Sequence, residues 1–122
     1  MSRFAEIVDR AKSRIQEQTA EEVKARIDAN ESFALIDVRE DREWVTAHAT
    51  GAIHLGKGVL ERDIEAAIPD LETPMVLYCG GGYRSALAAE SLQRMGYKNV
   101  VSMSGGFSDW KSAGYPVTTG DA

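Results

Sequence analysis

One cysteine, Cys79, is followed by three consecutive glycines, a tyrosine, an arginine and a serine, in the run Cys79-Gly80-Gly81-Gly82-Tyr83-Arg84-Ser85. Glycines admit positive φ and close backbone approach, so the amides from Gly80 to Arg84 are able to turn inward and form a cup of N–H donors around the sulfur. The segment opens directly into an expected helix. The positive end of that helix faces Cys79, the Arg84 guanidinium adds fixed charge nearby, and both favour thiolate over thiol. Taken alone, a cysteine at the end of an apolar strand is a small buried hydrophobe and a glycine-rich turn is a connector. That reading accounts for the glycines but not for the Cys and Arg that flank them. A lowered pKa by itself accelerates attack only a few-fold, because nucleophilicity falls with basicity. The larger use of such a cup is to hold an anion that forms at the cysteine, where inward N–H groups stabilise charge with little reorganisation.

Other groups fit known chemistries less well. Asp37 and Arg39 lie where an apolar run ends in charge and form a second polar constellation. His48 and His54 lack the Cys or carboxylate spacing of a metal site, so no metal and no cofactor is expected. No Lys follows the glycines as in a Walker loop, no GxGxxG opens a dinucleotide fold, and no acid–base pair suggests hydrolysis.

The elements that must hold these groups alternate in type. Phe4, Ile7, Val8, Ala11 and Ile15 recur at helical spacing and predict an N-terminal amphipathic helix; its Arg content resembles a transit peptide, but Glu6, Asp9 and Glu17 run against that. Thr19 to Glu22 reads as a capping box opening a second helix, with Ala20, Val23 and Ile27 on its buried stripe. Phe33 to Val38 is a nearly continuous apolar run, the pattern of a strand buried on both faces. A polar helical turn from Glu40 to Val45, a short strand from Gly51 to Leu55 and a helix from Leu60 to Ile68 stopped by Pro69 follow. Met75 to Cys79 is the next strand, the glycines break it, and a helix from Arg84 to Met95 ends at Gly96. Val100 and Val101 make a further strand, then come a Gly105-Gly106 turn and a short helix with Phe107 and Trp110. Trp44 and Trp110 read as packing residues. This alternation predicts an α/β fold with a mostly parallel central sheet flanked by helices on both faces. In such sheets ligands bind beyond the carboxyl ends of strands, where both constellations sit.

The 122 residues suit one domain and carry 14 basic against 19 acidic side chains, a formal net charge of -5 with no Lys or Arg run. That argues against a nucleic-acid surface or an anionic membrane patch. The start lacks the apolar core of a secretory signal, and one unpaired cysteine points to a reducing cytoplasmic setting.

The motifs together resemble a single-domain rhodanese, a sulfurtransferase of the rhodanese-like superfamily. Leu35-Ile36-Asp37-Val38-Arg39 is similar to the family's first signature, and His48-Ala49-Thr50-Gly51-Ala52-Ile53-His54 to the next, although Ala47 stands where glycine is usual. Tyr78 to Ser85 matches the active loop, and Ser104-Gly105-Gly106-Phe107-x-x-Trp110 with Gly114-Tyr115-Pro116-Val117 resembles the closing signature. The resemblance divides the chain into an N-terminal amphipathic helix (1–18), a rhodanese-like domain (19–117) and a mobile acidic tail (118–122). It implies that Cys79 takes sulfane sulfur from a donor such as thiosulfate, forming a persulfide that cyanide, a thiol or a protein acceptor removes. Gly80, Gly81, Gly82, Tyr83 and Arg84 then form the substrate-binding loop. Asp37 and Arg39 become supporting residues that brace the strand end.

Cys79 to Arg84 spans six positions, similar to the sulfurtransferases, whereas the related phosphatases and arsenate reductases carry one more. Gly80 and Gly81 stand where the familiar thiosulfate enzymes carry cationic side chains. Tyr83 reads equally as a wall of the entrance or a packing residue. A non-catalytic module that carries sulfur or binds a partner, with the N-terminal helix as contact, is the alternative, and a homodimer is left open.

Overall fold

The computed structural model describes residues 2–120. Near-continuous apolar runs become strands because each has a helix layer on both sides. The elements run α1 (Arg3–Lys12), β1 (Gln16–Thr19), α2 (Ala20–Asp28), β2 (Ala34–Asp37), α3 (Asp41–Thr46), β3 (His48–Ala49), β4 (Ile53–His54), α4 (Leu60–Ala67), β5 (Met75–Tyr78), α5 (Tyr83–Arg94), β6 (Val100–Ser104), α6 (Gly106–Ser112) and β7 (Val117–Thr118). Five strands pair in parallel in the order β1-β6-β5-β2-β4.

Successive residues of the strands serve opposite cores. Ile36, Met75, Leu77 and Val100 pack with Leu60 and Ile64 of α4 and Ala88, Ala89 and Leu92 of α5. Leu35, Val76, Tyr78, Val101 and Met103 pack with Ala20 and Val23 of α2 and Phe107 and Trp110 of α6. Helix α1 buries Val8 and Ala11 and lies against α5. It ends at Lys12 with Ser13 as its C-cap, short of the expected Ile15, which packs on the α4–α5 core. Among the described residues no helix is long and apolar enough to cross a membrane.

Two elements depart from the sequence reading. The polar segment Gln16–Thr19 is an edge strand beside β6. The stretch expected as a tail from 118 begins inside β7, where Ala49 faces Val117 and His48 faces Thr118 in an antiparallel pair, and the Gly120 N–H donates to the Val45 carbonyl at 2.8 Å. Asp121 and Ala122 lie outside the described residues. Ala47 is extended (φ -172°), a conformation any residue adopts, so nothing at that position requires glycine.

At the carboxyl end of β2, Asp37 and Arg39 form a buried pair, 0% and 6% exposed. Arg39 Nε donates to both Asp37 carboxylate oxygens at 3.1 Å, and Nη2 donates to Oδ2 at 2.8 Å and to the Ala47 carbonyl at 2.7 Å. Its guanidinium lies 4.3 Å from the centroid of the Phe107 ring. One side chain therefore joins β2, the end of α3 and the start of α6. Asp37→Ala leaves that cation buried without its partner, and stability is expected to fall by about 3–5 kcal/mol, read as a lower urea midpoint at unchanged slope. The double variant Asp37→Leu/Arg39→Met is expected to regain most of the loss.

Candidate functional site

The cup forms because the carbonyls of its first two residues are drawn outward. The Cys79 carbonyl accepts the Phe107 N–H at 2.7 Å and the Gly80 carbonyl accepts the Ser108 N–H at 3.0 Å, both from the first turn of α6. Gly106, at φ +52°, makes this approach possible: a Cβ there would sit 2.4 Å from the Cys79 oxygen and 2.8 Å from the Gly80 carbonyl carbon. With the carbonyls held outward, amides face the sulfur. The Gly82 N–H donates to Cys79 Sγ at 3.1 Å, and Gly82, at φ +96°, turns the chain into α5. Of the three loop glycines only Gly82 adopts positive φ.

Cys79 is 1% exposed, and burial works against its ionisation. Hydrogen bonds outweigh it: the Ser85 hydroxyl first, then the backbone N–H groups of Ser85, Gly82 and Gly81, hold the thiol below its ordinary pKa. Cys79 Sγ is 3.6 Å from Ser85 Oγ, which is 2.8 Å from Ser102 Oγ on β6, and both serines are fully buried. Two hydroxyls in series thus extend from the sulfur into the core. Such a chain reverses its donors as the sulfur loses its proton, because each hydroxyl both gives and accepts.

Arg84 has a different first partner from the one its spacing suggested. Its Nη1 and Nη2 donate to Glu43 Oε1 and Oε2 of α3 at 2.8 and 3.2 Å. The ion pair pulls the Glu43 carboxyl down to about 2, so the clamp stays intact throughout the neutral range. The Cys79 charge raises the Arg84 pKa after Glu43 does. The clamp joins the loop to α3 while Arg84 also hydrogen-bonds the Cys79 sulfur.

The structure therefore brings Cys79, Gly80, Gly81, Gly82 and Arg84 together as one loop, with Asp37 and Arg39 beside it in their own buried pair. Tyr83 points outward, 53% exposed, with the Phe4 ring 6.1 Å away edge-on and Lys12 Nζ 5.4 Å from its centroid. Helix α1 thus reaches the site's rim. Trp44 stacks with His48 (3.4 Å, 3°) and with His54 (5.0 Å, 12°), placing both histidines in packing roles beside α3. Ser85 closes the loop motif in the sequence without a role assigned to it there, whereas nothing local marks Glu43 or Ser102 as neighbours of residues 41 or 17 positions away.

Comparison with known proteins agrees with this geometry. The thiosulfate sulfurtransferase GlpE of Haemophilus influenzae is 36% identical over 85 residues, 70% of this chain and 79% of that protein. YrkF of Bacillus subtilis, named as a sulfur carrier, is 33% identical over 98 residues; the match takes in 80% of this chain but only 52% of YrkF. Among solved structures, a Rhodopseudomonas palustris protein of unknown function, described as a possible tyrosine phosphatase, superposes with a TM-score of 0.88 at 31% identity over 97% of this chain and 96% of that one. The polysulfide-sulfur transferase homodimer of Wolinella succinogenes gives 0.81 at 27% identity over 95% and 87%. The model of the rhodanese-like domain matches residues 19–113, the span that holds the parallel sheet from the end of β1 onward and the whole Cys79 loop, and the chain belongs to that family.

Proposed function

We propose that this protein is a sulfurtransferase that carries sulfane sulfur as a persulfide on Cys79. The observation that supports it most is the sulfur itself, set beneath inward N–H groups within a six-position loop and held below its ordinary pKa. The Cys79 thiolate attacks the outer sulfur of thiosulfate or a related donor. The donor's S–S bond breaks with its electron pair on the leaving sulfite, and a Cys79–S–S⁻ persulfide remains. The N–H groups of Gly81, Gly82 and Ser85, which face the thiolate, stabilise the anion through both states. A nucleophilic acceptor, cyanide or a thiol, then attacks the outer sulfur and returns the electron pair to Cys79. Cys79 is the covalent catalyst, Gly80 to Arg84 are the cup, and Asp37 and Arg39 brace it.

The neighbour described as a possible tyrosine phosphatase supports a second reading, hydrolysis of a phosphate ester on the same cysteine. The six-position loop favours sulfur, since a tetrahedral oxyanion needs a wider ring of donors. The setting expected from a lone free cysteine, a reducing cytoplasm, is one where thiol acceptors abound.

After treatment with thiosulfate, intact mass spectrometry of the wild type is expected to show one added sulfur that thiol removes, and folded Cys79→Ser none. Transfer by Cys79→Ser above a few per cent of wild type, or aryl-phosphate hydrolysis without sulfur uptake by the wild type, overturns the reading. Iodoacetamide alkylation of Cys79 against pH is expected to inflect below the value of a free thiol. Ser85→Ala removes the strongest donor to the thiolate, so its inflection moves to higher pH and alkylation at neutral pH slows severalfold; an unmoved profile removes the hydroxyl from the account.

A further inference from the structure

Strand β6 carries a buried hydroxyl where its neighbours are apolar. Val100, Val101 and Met103 pack into the two cores, and between them Ser102 is 0% exposed. Alternation along the strand puts Ser102 on the face of Val100, toward the α4–α5 core, and the parallel register sets it beside Leu77, two residues before Cys79. A valine fills such a position at no polar cost, whereas a buried hydroxyl loses its water and must recover it in hydrogen bonds. Among the described residues the Ser102 hydroxyl has Ser85 Oγ, at 2.8 Å, as its one partner. Ser85 Oγ has two, Ser102 and the sulfur at 3.6 Å.

Counting hydrogens gives this chain a preferred state. The thiol form has hydrogens on Sγ and on both hydroxyls for the two links of the chain, so one of them has no place in it. The thiolate form has one hydrogen for each link: Ser102 donates to Ser85 and Ser85 donates to the sulfur. In that direction Ser102 fixes the Ser85 hydroxyl and polarises its O–H toward Sγ. We propose that Ser102 is a positioning residue for the nucleophile, holding Ser85 in place as a donor whenever charge resides on Sγ. The assignment rests on the sulfurtransferase reading for the steps it serves. Charge resides on Sγ before it gives its electron pair to the donor's outer sulfur, whose S–S bond breaks toward sulfite. It returns there when the Cys79–sulfur bond breaks with its electron pair left on Sγ. In the persulfide between these points the charge lies one bond farther from Ser85, so the two hydroxyls favour nucleophile and leaving group over the loaded state. The titratable groups nearby are engaged with other partners: Arg84, which acts on the sulfur, with Glu43; Glu17, beside Ser102 in the register of β1, with Lys12; and the Tyr97 hydroxyl, in the α4–α5 core, with the Ile68 carbonyl.

Iodoacetamide alkylation against pH reads the effect in unloaded, full-length protein, with urea midpoints to establish folding. In Ser102→Ala the Cys79 inflection is expected to move to higher pH and alkylation at neutral pH to slow about two- to threefold, less than in Ser85→Ala because the effect passes through one hydrogen bond. Added to Ser85→Ala, the same substitution is expected to move the inflection no further. Ser102→Thr, which keeps the hydroxyl, is expected to restore the wild-type profile. An unmoved inflection in folded Ser102→Ala, including one accompanied by a lower urea midpoint, overturns the assignment, and so does an equal shift with and without the Ser85 hydroxyl. Sulfur uptake from thiosulfate is a separate arm, in which Ser102→Ala is expected to load at a lower maximal rate with an unchanged KM. Absence of uptake by the wild type overturns the sulfurtransferase reading, while the alkylation cycle still decides whether Ser102 acts on Cys79 through Ser85.

Discussion

Two hydrogen bonds hold the start of the cup in place: Phe107 N–H to the Cys79 carbonyl and Ser108 N–H to the Gly80 carbonyl. A peptide unit is planar, so fixing its oxygen on one side fixes the following N–H on the other. Turning two carbonyls toward α6 therefore turns the amides of Gly80 and Gly81 the opposite way. The free N–H groups at the start of α6 are in turn satisfied by the loop, so neither partner is left with buried polar groups unpaired. The contact demands backbone against backbone, which is why residue 106 has no side chain. The α5 end of the loop, the hydroxyls that extend from the sulfur and the Arg84 clamp all build on a loop already held in this shape.

The charges around the cup are arranged in neutral pairs. Arg84 meets Glu43 and Arg39 meets Asp37, and besides the paired Arg84 guanidinium the groups at the sulfur are N–H and O–H dipoles. Dipoles held by the backbone stabilise an anion without attracting every anion from a distance, whereas a bare cation does both. In a chain with a net charge of -5, a neutral cup separates two tasks. On the proposed route the loop would stabilise the sulfur anion, and the charge of a ligand would be met by groups outside it. The glycines at positions 80 and 81 fit this division, since no side-chain cation enters the cup from them.

The parts legible in the sequence were those with a local signature. Strands β2 and β5 show as apolar runs because each residue meets one of two cores; the capping box at Thr19 and Glu22 closes with bonds of 3.1 and 2.9 Å between residues three apart; the cysteine loop carries its own spacing. The missed elements have no such signature. β1 is Gln-Glu-Gln-Thr, polar because it forms the sheet's edge and only one flank is paired. β3 and β7 are two residues each, too short for any periodicity. Spacing alone puts Arg84 beside the sulfur, where it does lie, but its carboxylate partner comes from a helix 41 residues earlier. Ser102 looks like one polar residue in an apolar strand, and only the fold shows that it bonds Ser85 beside the nucleophile. Residue type and local spacing thus marked out the cysteine and its loop, while the groups that set its pKa came from tertiary contacts.

On the proposed persulfide route, burial of the sulfur would set an order on the two half-reactions. At 1% exposure, Cys79 Sγ is reached only by a slender terminal atom that enters the cup. A donor must present such an atom, as the outer sulfur of thiosulfate or of a persulfide does, whatever the rest of it looks like. Once the sulfur is transferred, the reacting atom lies about 2 Å farther out, one S–S bond length beyond Sγ. On that route an acceptor would meet its target nearer the mouth, and bulk tolerated there would not be tolerated at the floor. The first step is restricted by shape at the cup and the second by the surfaces around it. Substituents on the rim, including those α1 brings to Tyr83, thus act mainly on the acceptor, while changes in the loop act on both steps.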